Sequence, residues 1–343
     1  MLKKIIKRVL IYLFLISAAF FVFFFIGKTP RAKTVIWGVN FSQEYATGLG
    51  LNWKEVYLAL VHDVGAKNIK ISVQWNIVEP EEGKYSFDDL EWQIKAAEDR
   101  GIKVVPVIGI KTSRWPECHI PGWATALKKE QQQERILEMI KAIVLRYQYS
   151  PAIKYWQVEN EPFFPFGECP WTDKEFLKKE VALVKDTDLY KHPVLITDSG
   201  EWSTWINAAR TGDLVGSTLY RKVWMEKLGL YRQYWFTPMY YSRKAQLIDK
   251  LFHKKVICAE LQAEPWGPGW PSEMSFAEQA KTMDLKRFRD NVIFAENTGF
   301  DEFYLWGGEW WFWAKQNNHP EIWEEAKKLF QDGTLIIPKT ADK

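Results

Sequence analysis

The chain has 343 residues, of which 47% are hydrophobic and 16% aromatic, with 46 lysines and arginines against 43 aspartates and glutamates. Seven of the basic residues and none of the acidic ones lie in the first 33 positions, so the remaining 39 basic and 43 acidic residues leave a net charge of −4. Neither this charge nor the spacing of the basic residues provides the clustered basic face of a nucleic-acid-binding protein, and three cysteines are too few for a disulfide framework.

The first predicted element is an apolar helix. A basic cluster at residues 3–8 precedes eighteen residues, 9–26, in which Ser17 is the only strongly polar side chain. At about 1.5 Å per residue this helix is roughly 27 Å long, enough to cross the hydrocarbon core of a membrane. Because the basic cluster comes first, the positive-inside rule places the rest of the chain outside the cytoplasm. The alternative is a signal peptide, whose apolar stretch is typically about 7 to 15 residues, cleaved before secretion.

From residue 35 onward, short apolar runs alternate with longer amphipathic patterns. The predicted strands are 35–40, 68–73, 103–108, 153–158, 194–197, 214–219, 256–259 and 302–306, and the predicted helices between them include 53–64, 90–100, 128–147, 172–186 and 276–295. Such alternation is typical of a parallel sheet wrapped by helices, and eight units close a (β/α)8 TIM barrel of the α/β class. We therefore predict a catalytic domain over 34–338, preceded by a basic stub, membrane helix and linker in 1–33 and followed by a disordered tail, 339–343.

Two features of the connections leave alternatives open. The connection 221–255 contains a stretch rich in tryptophan and tyrosine, 231–241, before a helical pattern at 243–252. This stretch is either a loop over the active face or the packing of a long connection. Cys118 and Cys169 both follow predicted strands, and outside the cell they form either a disulfide or two free thiols. Cys258, within an apolar run, is predicted to be a small buried side chain.

Two glutamates carry the chemistry that the pattern suggests. Glu161, in Asn160-Glu161-Pro162, follows the fourth strand, and Glu260 follows the seventh. The carboxyl ends of barrel strands are where active sites lie, and cleavage of a glycosidic bond needs a pair of carboxyl groups. Glu264 and Glu309 compete for the second position but lie further from the ends of their strands.

In these motifs the sequence resembles the glycoside hydrolases of clan A, retaining enzymes built on the eightfold barrel, over nearly all of 37–330. The resemblance implies that Glu161 is the acid/base, that Glu260 is the nucleophile and that Asn160, just before the acid/base, binds the substrate. It further implies that Tyr220 donates a hydrogen bond to the nucleophile and that Trp306 is the platform for the sugar at the cleaved bond. The stretch 75–85 resembles the exit of strand two in the β-galactosidase-like families of this clan.

The chain also has nineteen tryptophans, and many follow predicted strands. Aromatic rings offer large rigid apolar faces on which sugars stack, so we predict that Trp75, Trp115 and Trp266 contact substrate together with Trp306. Packing in the core is the alternative for each of them.

The sequence departs from the clan in two places. Lys70 stands where many members carry an arginine that supports the nucleophile, and lysine offers a point charge without the bidentate fork. The histidine often found after strand three has no clear counterpart, so Lys111 or His119 would have to serve.

The resulting hypothesis is a membrane-anchored retaining glycosidase that acts outside the cytoplasm on a β-linked oligo- or polysaccharide. It contacts the membrane through residues 9–26 and needs no metal or organic cofactor. The alternatives are a carbohydrate-binding barrel with impaired catalysis and a transglycosylase that uses the same two glutamates. Beyond the β configuration, the sequence makes no prediction about which sugar or linkage position is recognised, or about the oligomeric state.

Overall fold

The computed structural model describes residues 2–29 and 31–332, with the backbone only for Leu2 and Asp332. The predicted tail 339–343 lies outside these residues. The barrel has eight parallel strands, which are β1 (Ile36–Phe41), β2 (Asn68–Ser72), β3 (Lys103–Ile108), β4 (Trp156–Val158), β5 (Val194–Asp198), β6 (Leu214–Leu219), β9 (Val256–Gln262) and β10 (Glu302–Trp306). They close in the order β1-β10-β9-β6-β5-β4-β3-β2, so the predicted fold class is confirmed.

Helices connect the strands of the barrel or follow the last one, and one further helix precedes the first strand. They are α1 (Leu2–Phe25), α2 (Gln43–Gly48), α3 (Trp53–Ala59), α4 (Trp75–Val78), α5 (Asp88–Glu98), α6 (Lys129–Tyr147), α7 (Lys174–Thr187), α8 (Ile206–Thr211), α9 (Pro238–Phe252), α10 (Phe276–Gln279), α11 (Leu285–Glu296), α12 (Gly308–Gln316) and α13 (Glu321–Asp332). The prediction of one helix over 276–295 was wrong. Asp284 accepts a hydrogen bond from the amide of Arg287 and so begins a new helix as an N-cap.

The core has two parts. A large cluster lies between the barrel and its helices, and a smaller one inside the barrel contains Val105, Leu195, Leu214, Ile257 and Tyr304. The barrel strands are buried almost throughout, as parallel strands covered on both faces must be. Gly38 on β1 has no side chain because an added Cβ would lie 2.6 Å from the ring of Tyr304. Glycine at this position therefore allows the tyrosine to fill the barrel.

The long connection after β6 contains a hairpin rather than a loop. Its strands, β7 (Lys222–Met225) and β8 (Leu230–Gln233), pair antiparallel, and α9 begins five residues later. Cys118 and Cys169 form a disulfide, which joins the segment after β3 to the segment after β4. Cys258 is free and buried, as predicted.

The N-terminal helix α1 stands apart in composition. Within the described residues, Lys3–Phe25 is the one helix long and apolar enough to cross a membrane, with a mean hydropathy of 2.4. Length and composition alone support this, and a signal sequence has the same properties.

Candidate active site

Glu161 and Glu260 lie at the carboxyl edge of the barrel. Glu161 follows β4, whereas Glu260 lies within β9, which extends to Gln262. Each carboxylate accepts a hydrogen bond from a residue at the carboxyl end of β6. The Thr218 hydroxyl donates to Glu161 Oε1 at 3.3 Å, and the hydroxyl of Tyr220, just after the strand, donates to Glu260 Oε2 at 2.9 Å. Positions two apart along a strand are separated by about 7 Å and point to the same face. The two carboxylates therefore share one pocket.

Glu260 is held by a cation and a phenol. Lys70 Nζ on β2 lies 3.1 Å from Glu260 Oε1, and both side chains are almost completely buried. With Tyr220 on the other oxygen, each oxygen of the carboxylate has a donor. Donors of this kind suit a carboxylate that acts as an acceptor on both oxygens. The lysine that departs from the clan pattern thus contacts the predicted nucleophile directly.

Glu161 has the opposite environment. Burial, reinforced by the negative charges of Glu260 and Glu117, raises the pKa of Glu161 well above its ordinary value of 4.5. Its backbone is in the left-handed region, with φ 44°, and its amide donates to Thr197 Oγ1 at 2.8 Å. A carboxyl group with a raised pKa is suited to give a proton to a leaving oxygen.

Glu117 is a third carboxyl group at this site, which the sequence analysis did not select. Its Oε2 accepts from Asn160 Nδ2 at 3.2 Å and lies 3.7 Å from Lys111 Nζ. Burial raises the pKa of Glu117 to about 8. Asn160 Oδ1 in turn accepts from Gln157 Nε2 at 3.1 Å, so the predicted substrate-binding amide is held from both ends. The sequence indicates a role for Glu117 only by its position after β3, next to Cys118.

Of the two candidates for the missing histidine, only Lys111 contacts the segment of Glu161. Lys111 Nζ donates to the carbonyl oxygens of Glu161 and Phe164 at 3.1 and 3.0 Å. His119 instead lies against Gln74 and places Nδ1 2.9 Å from Glu44 Oε2. The hydrogen bond from His119 lowers the pKa of Glu44.

Arg114, also missed from the sequence, organises the other side of the pocket. Its guanidinium lies 3.8 Å from the ring centroid of Tyr45 and 4.0 Å from that of Trp306. It forms ion pairs with Glu264 and with Glu309, the latter at 2.8 Å. Trp306 Nε1 donates to Glu264 Oε1 at 2.7 Å. Glu264 and Glu309, the two alternatives to Glu260, are therefore both paired with Arg114. Arg114 also covers one face of Trp306, the predicted sugar platform.

The other predicted tryptophans fall in different surroundings. Trp115 is about half exposed on the loop after β3, and Trp266 is half-buried with its ring centroid 5.0 Å from that of Tyr220. The structure does not bring Trp75 to the cleft. Its exposed fraction is 0%, and its indole N–H donates to Glu79 Oε2 at 2.8 Å. Trp75 is therefore a core residue, because α4 turns its ring inward.

Glu159 connects the exits of two neighbouring strands. Its carboxylate accepts from the amides of Ile110 and Lys111 at 2.9 and 2.7 Å. A Cβ on Gly109 would lie 2.4 Å from Glu159 Oε1, so this contact requires glycine. The interaction fixes the backbone that leads from β3 to Lys111.

Comparisons with known proteins agree with this architecture. The model of glycosyl hydrolase family 10 matches residues 36–179, from β1 into α7. No curated protein matches the sequence. Among solved structures, the endo-β-1,4-mannanase from Thermotoga petrophila is similar with a TM-score of 0.54 at 16% identity, over 89% of this chain and 79% of that one. Native xylanase 10B from Thermotoga maritima gives 0.52 at 16% identity, over 80% and 83%.

A β-galactosidase from the Antarctic haloarchaeon Halorubrum lacusprofundi is also similar, with a TM-score of 0.53 at 14% identity over 79% of this chain. The chain spans about half the length of that enzyme, since 52% of it is covered. At such identities the structural likeness concerns the fold. Together with the family match over 36–179, it agrees with the resemblance that the motifs predicted: the chain has the fold of the clan A glycoside hydrolases and is similar to them.

Proposed function

We propose that the chain is a retaining glycosidase that cleaves a β-linked glycan by double displacement, with Glu260 as nucleophile and Glu161 as acid/base. The observation that carries this proposal is the contrast between the two carboxyl groups. Glu260 has a cation on one oxygen and a phenol on the other, whereas burial raises the pKa of Glu161. Carboxyl groups that differ in this way can act as base and acid at the same pH.

The reaction has two steps. In the first, Glu260 Oε attacks the anomeric carbon while Glu161 gives its proton to the departing oxygen, which leaves as an alcohol and forms a glycosyl ester. The ester carries no negative charge, so one of the causes that raise the pKa of Glu161 is removed. In the second step Glu161 therefore accepts a proton from water, which attacks the anomeric carbon and releases Glu260. The configuration at that carbon is retained.

The substrate we propose is a β-linked oligo- or polysaccharide. Support comes from the family match and from the similar structures, which include a β-galactosidase, a xylanase and an endo-β-1,4-mannanase. A panel of aryl β-galactosides, β-xylosides, β-mannosides and β-cellobiosides tests this choice. Release of the aryl group from at least one member is expected. Binding without release from any of them would support the impaired carbohydrate-binding barrel.

We further propose that α1 remains as a membrane anchor, with residues 34–338 outside the cytoplasm. The basic residues before the helix support this orientation, and the Cys118–Cys169 disulfide suits an oxidising compartment. Carbonate-resistant membrane association of a chain that still begins with the basic cluster is the expected result. A soluble chain that lacks α1 would instead favour cleavage and secretion.

Azide rescue tests the roles of the two glutamates. Glu260→Ala should lose turnover, and azide should restore it through direct attack that yields an α-glycosyl azide. Glu161→Ala should form the glycosyl ester only from substrates with a good leaving group, and azide should then yield the β-glycosyl azide. Glu264→Ala serves as the matched control for the nucleophile. An α-azide from the Glu264 variant but not from the Glu260 variant would contradict the assignment.

A further inference from the structure

The last turn of α1 packs against the barrel. The ring centroid of Phe25 lies 4.9 Å from that of Trp235 and 5.6 Å from that of Tyr240. The guanidinium of Arg243 lies 5.1 Å from the ring centroid of Phe23. All three barrel residues belong to the first turns of α9 or to the segment just before it. Because α9 follows β6 and the hairpin, these turns lie toward the carboxyl edge of the barrel.

The segment after α1 descends along the outside of the barrel. At Gly27 an added Cβ would be 2.8 Å from the Met239 side chain, so the backbone touches the start of α9. Arg31 Nε then donates to Asn297 Oδ1 at 3.1 Å, at the end of α11. The amide of Ile36 finally donates to the carbonyl of Asp301 at 2.8 Å, where β1 begins at the amino edge. The helix therefore leaves the barrel on the side that carries the two glutamates.

A short series of contacts links this exit to the active site. The rings of Tyr240 and Tyr241 are 5.5 Å apart, and the Tyr241 hydroxyl donates to Glu201 Oε1 at 2.8 Å. The same oxygen accepts the amide of Tyr220 at 2.9 Å, and the Tyr220 hydroxyl donates to Glu260. The residue that contacts α1 is thus separated from the proposed nucleophile by three side chains.

Exposed apolar side chains also lie in the connections at this carboxyl edge of the barrel. Trp202, Leu228, Leu230 and Trp235, here called the apolar rim, are each between 45% and 60% exposed and lie in connections that follow β5 and β6. Such exposed apolar groups often mark an interaction surface. Lys227 is exposed at the tip of the hairpin, and the guanidinium of Arg232 lies 5.3 Å from the ring centroid of Trp202. Tryptophan with nearby lysine and arginine is the combination enriched at membrane interfaces.

We propose that the apolar rim lies against the lipid bilayer that α1 enters, so that the catalytic cleft opens beside the membrane surface. The partner is a bilayer containing anionic phospholipid, which the rim contacts with its apolar side chains while Lys227 and Arg232 face the headgroups. This proposal rests on the proposed membrane anchor but not on the glycosidase activity. It implies that the enzyme acts on glycans held close to the membrane.

The test compares two equally exposed leucines at opposite ends of the barrel. Leu228, 60% exposed, lies on the rim, and Leu189, 65% exposed, lies before β5 at the amino edge. Each is replaced by cysteine in the full chain and labelled with an environment-sensitive fluorophore. Selective labelling is expected because Cys118 and Cys169 are bonded and Cys258 is buried. The variants are placed in nanodiscs of phosphatidylcholine with a minority of phosphatidylglycerol, with and without a nitroxide at the headgroup.

We expect the label at 228 to shift to the blue and to be quenched by the nitroxide lipid, and the label at 189 to do neither. Equal quenching at the two positions, or quenching at 189 alone, would overturn the proposal. So would a label at 228 that responds only to added soluble glycan, since the rim would then be a carbohydrate surface. Carbonate extraction of the same samples reports on the anchor, and its failure also overturns the proposal. Hydrolysis of a soluble aryl glycoside reports separately on the catalytic assignment.

Discussion

Replacement of Glu117 by glutamine should stabilise the protein in a pH-dependent way. The carboxyl group lies among Asn160, Lys111 and the two proposed catalytic glutamates, and burial raises its pKa to about 8. Glutamine keeps an acceptor oxygen for Asn160 but cannot ionise. Lys111 retains its two carbonyl partners in the variant. The substitution therefore removes mainly the cost of placing an ionisable group in this pocket.

The sign and size of this stability difference follow from proton linkage. Between pH 4.5, the ordinary value, and about 8, native Glu117 holds a proton that the unfolded chain has released. The free energy of unfolding therefore falls as the pH rises through this window, by about 1.4 kcal/mol per pH unit. The full window corresponds to on the order of 5 kcal/mol. The advantage of the variant should be small near pH 4 and reach several kcal/mol above pH 8.

The assay is urea unfolding of the full chain in detergent micelles, followed by tryptophan fluorescence with the disulfide intact. Glu134→Gln, at an exposed position of α6, is the control and should show no change in relative stability with pH. The charge of Glu117 also contributes to the raised pKa of Glu161. The alkaline limb of activity in the Glu117 variant should therefore move to lower pH. A stability difference that is the same near pH 5 and near pH 8.5 would refute this reasoning.

Three further predictions concern the support of the site. Lys70→Met should lower kcat/KM by about 10- to 150-fold, because a hydrogen bond to a charged group contributes about 1.5–3 kcal/mol. Lys70→Arg should keep part of the activity. Equal rates for the two variants would argue against a role of the positive charge beside Glu260. Tyr220→Phe should lower kcat/KM by less than Lys70→Met does, with little change in melting temperature, and a larger loss would give the phenol the leading role. The double change of Cys118 and Cys169 to serine should lower the free energy of unfolding by about 2–4 kcal/mol, as measured by urea unfolding, and unchanged stability would show that the bridge does not constrain the unfolded chain.

Much of the barrel could be predicted because its strands are buried on both faces. Such strands read as continuous apolar runs between amphipathic helices, as 103–108 and 214–219 do. The prediction for β9 ended at Ala259, whereas the strand continues through Glu260 to Gln262. Polar side chains interrupt the apolar run there because they point into the mouth of the barrel. The polar side chains that end the apolar run therefore include Glu260, the residue at the candidate active site.

The rest of the site depends on contacts that no local pattern records. Arg114 and Glu117 lie on an irregular loop in which both have positive φ, 84° and 73°. Their side chains reach partners that are distant in sequence, such as Glu309 and Asn160. The same limit explains Trp75, since the sequence indicates an aromatic ring after a strand but not whether it turns inward.

The central claim is that Glu260 forms a covalent bond with the sugar. A 2-deoxy-2-fluoro β-glycoside with a good leaving group slows both steps but the second more, so the glycosyl ester accumulates and can be located by mass spectrometry of peptides. We predict a single sugar on the peptide that contains Glu260, and none in Glu260→Ala. A label on Glu264 or Glu309, or an unlabelled enzyme that releases products of inverted configuration, would contradict the account.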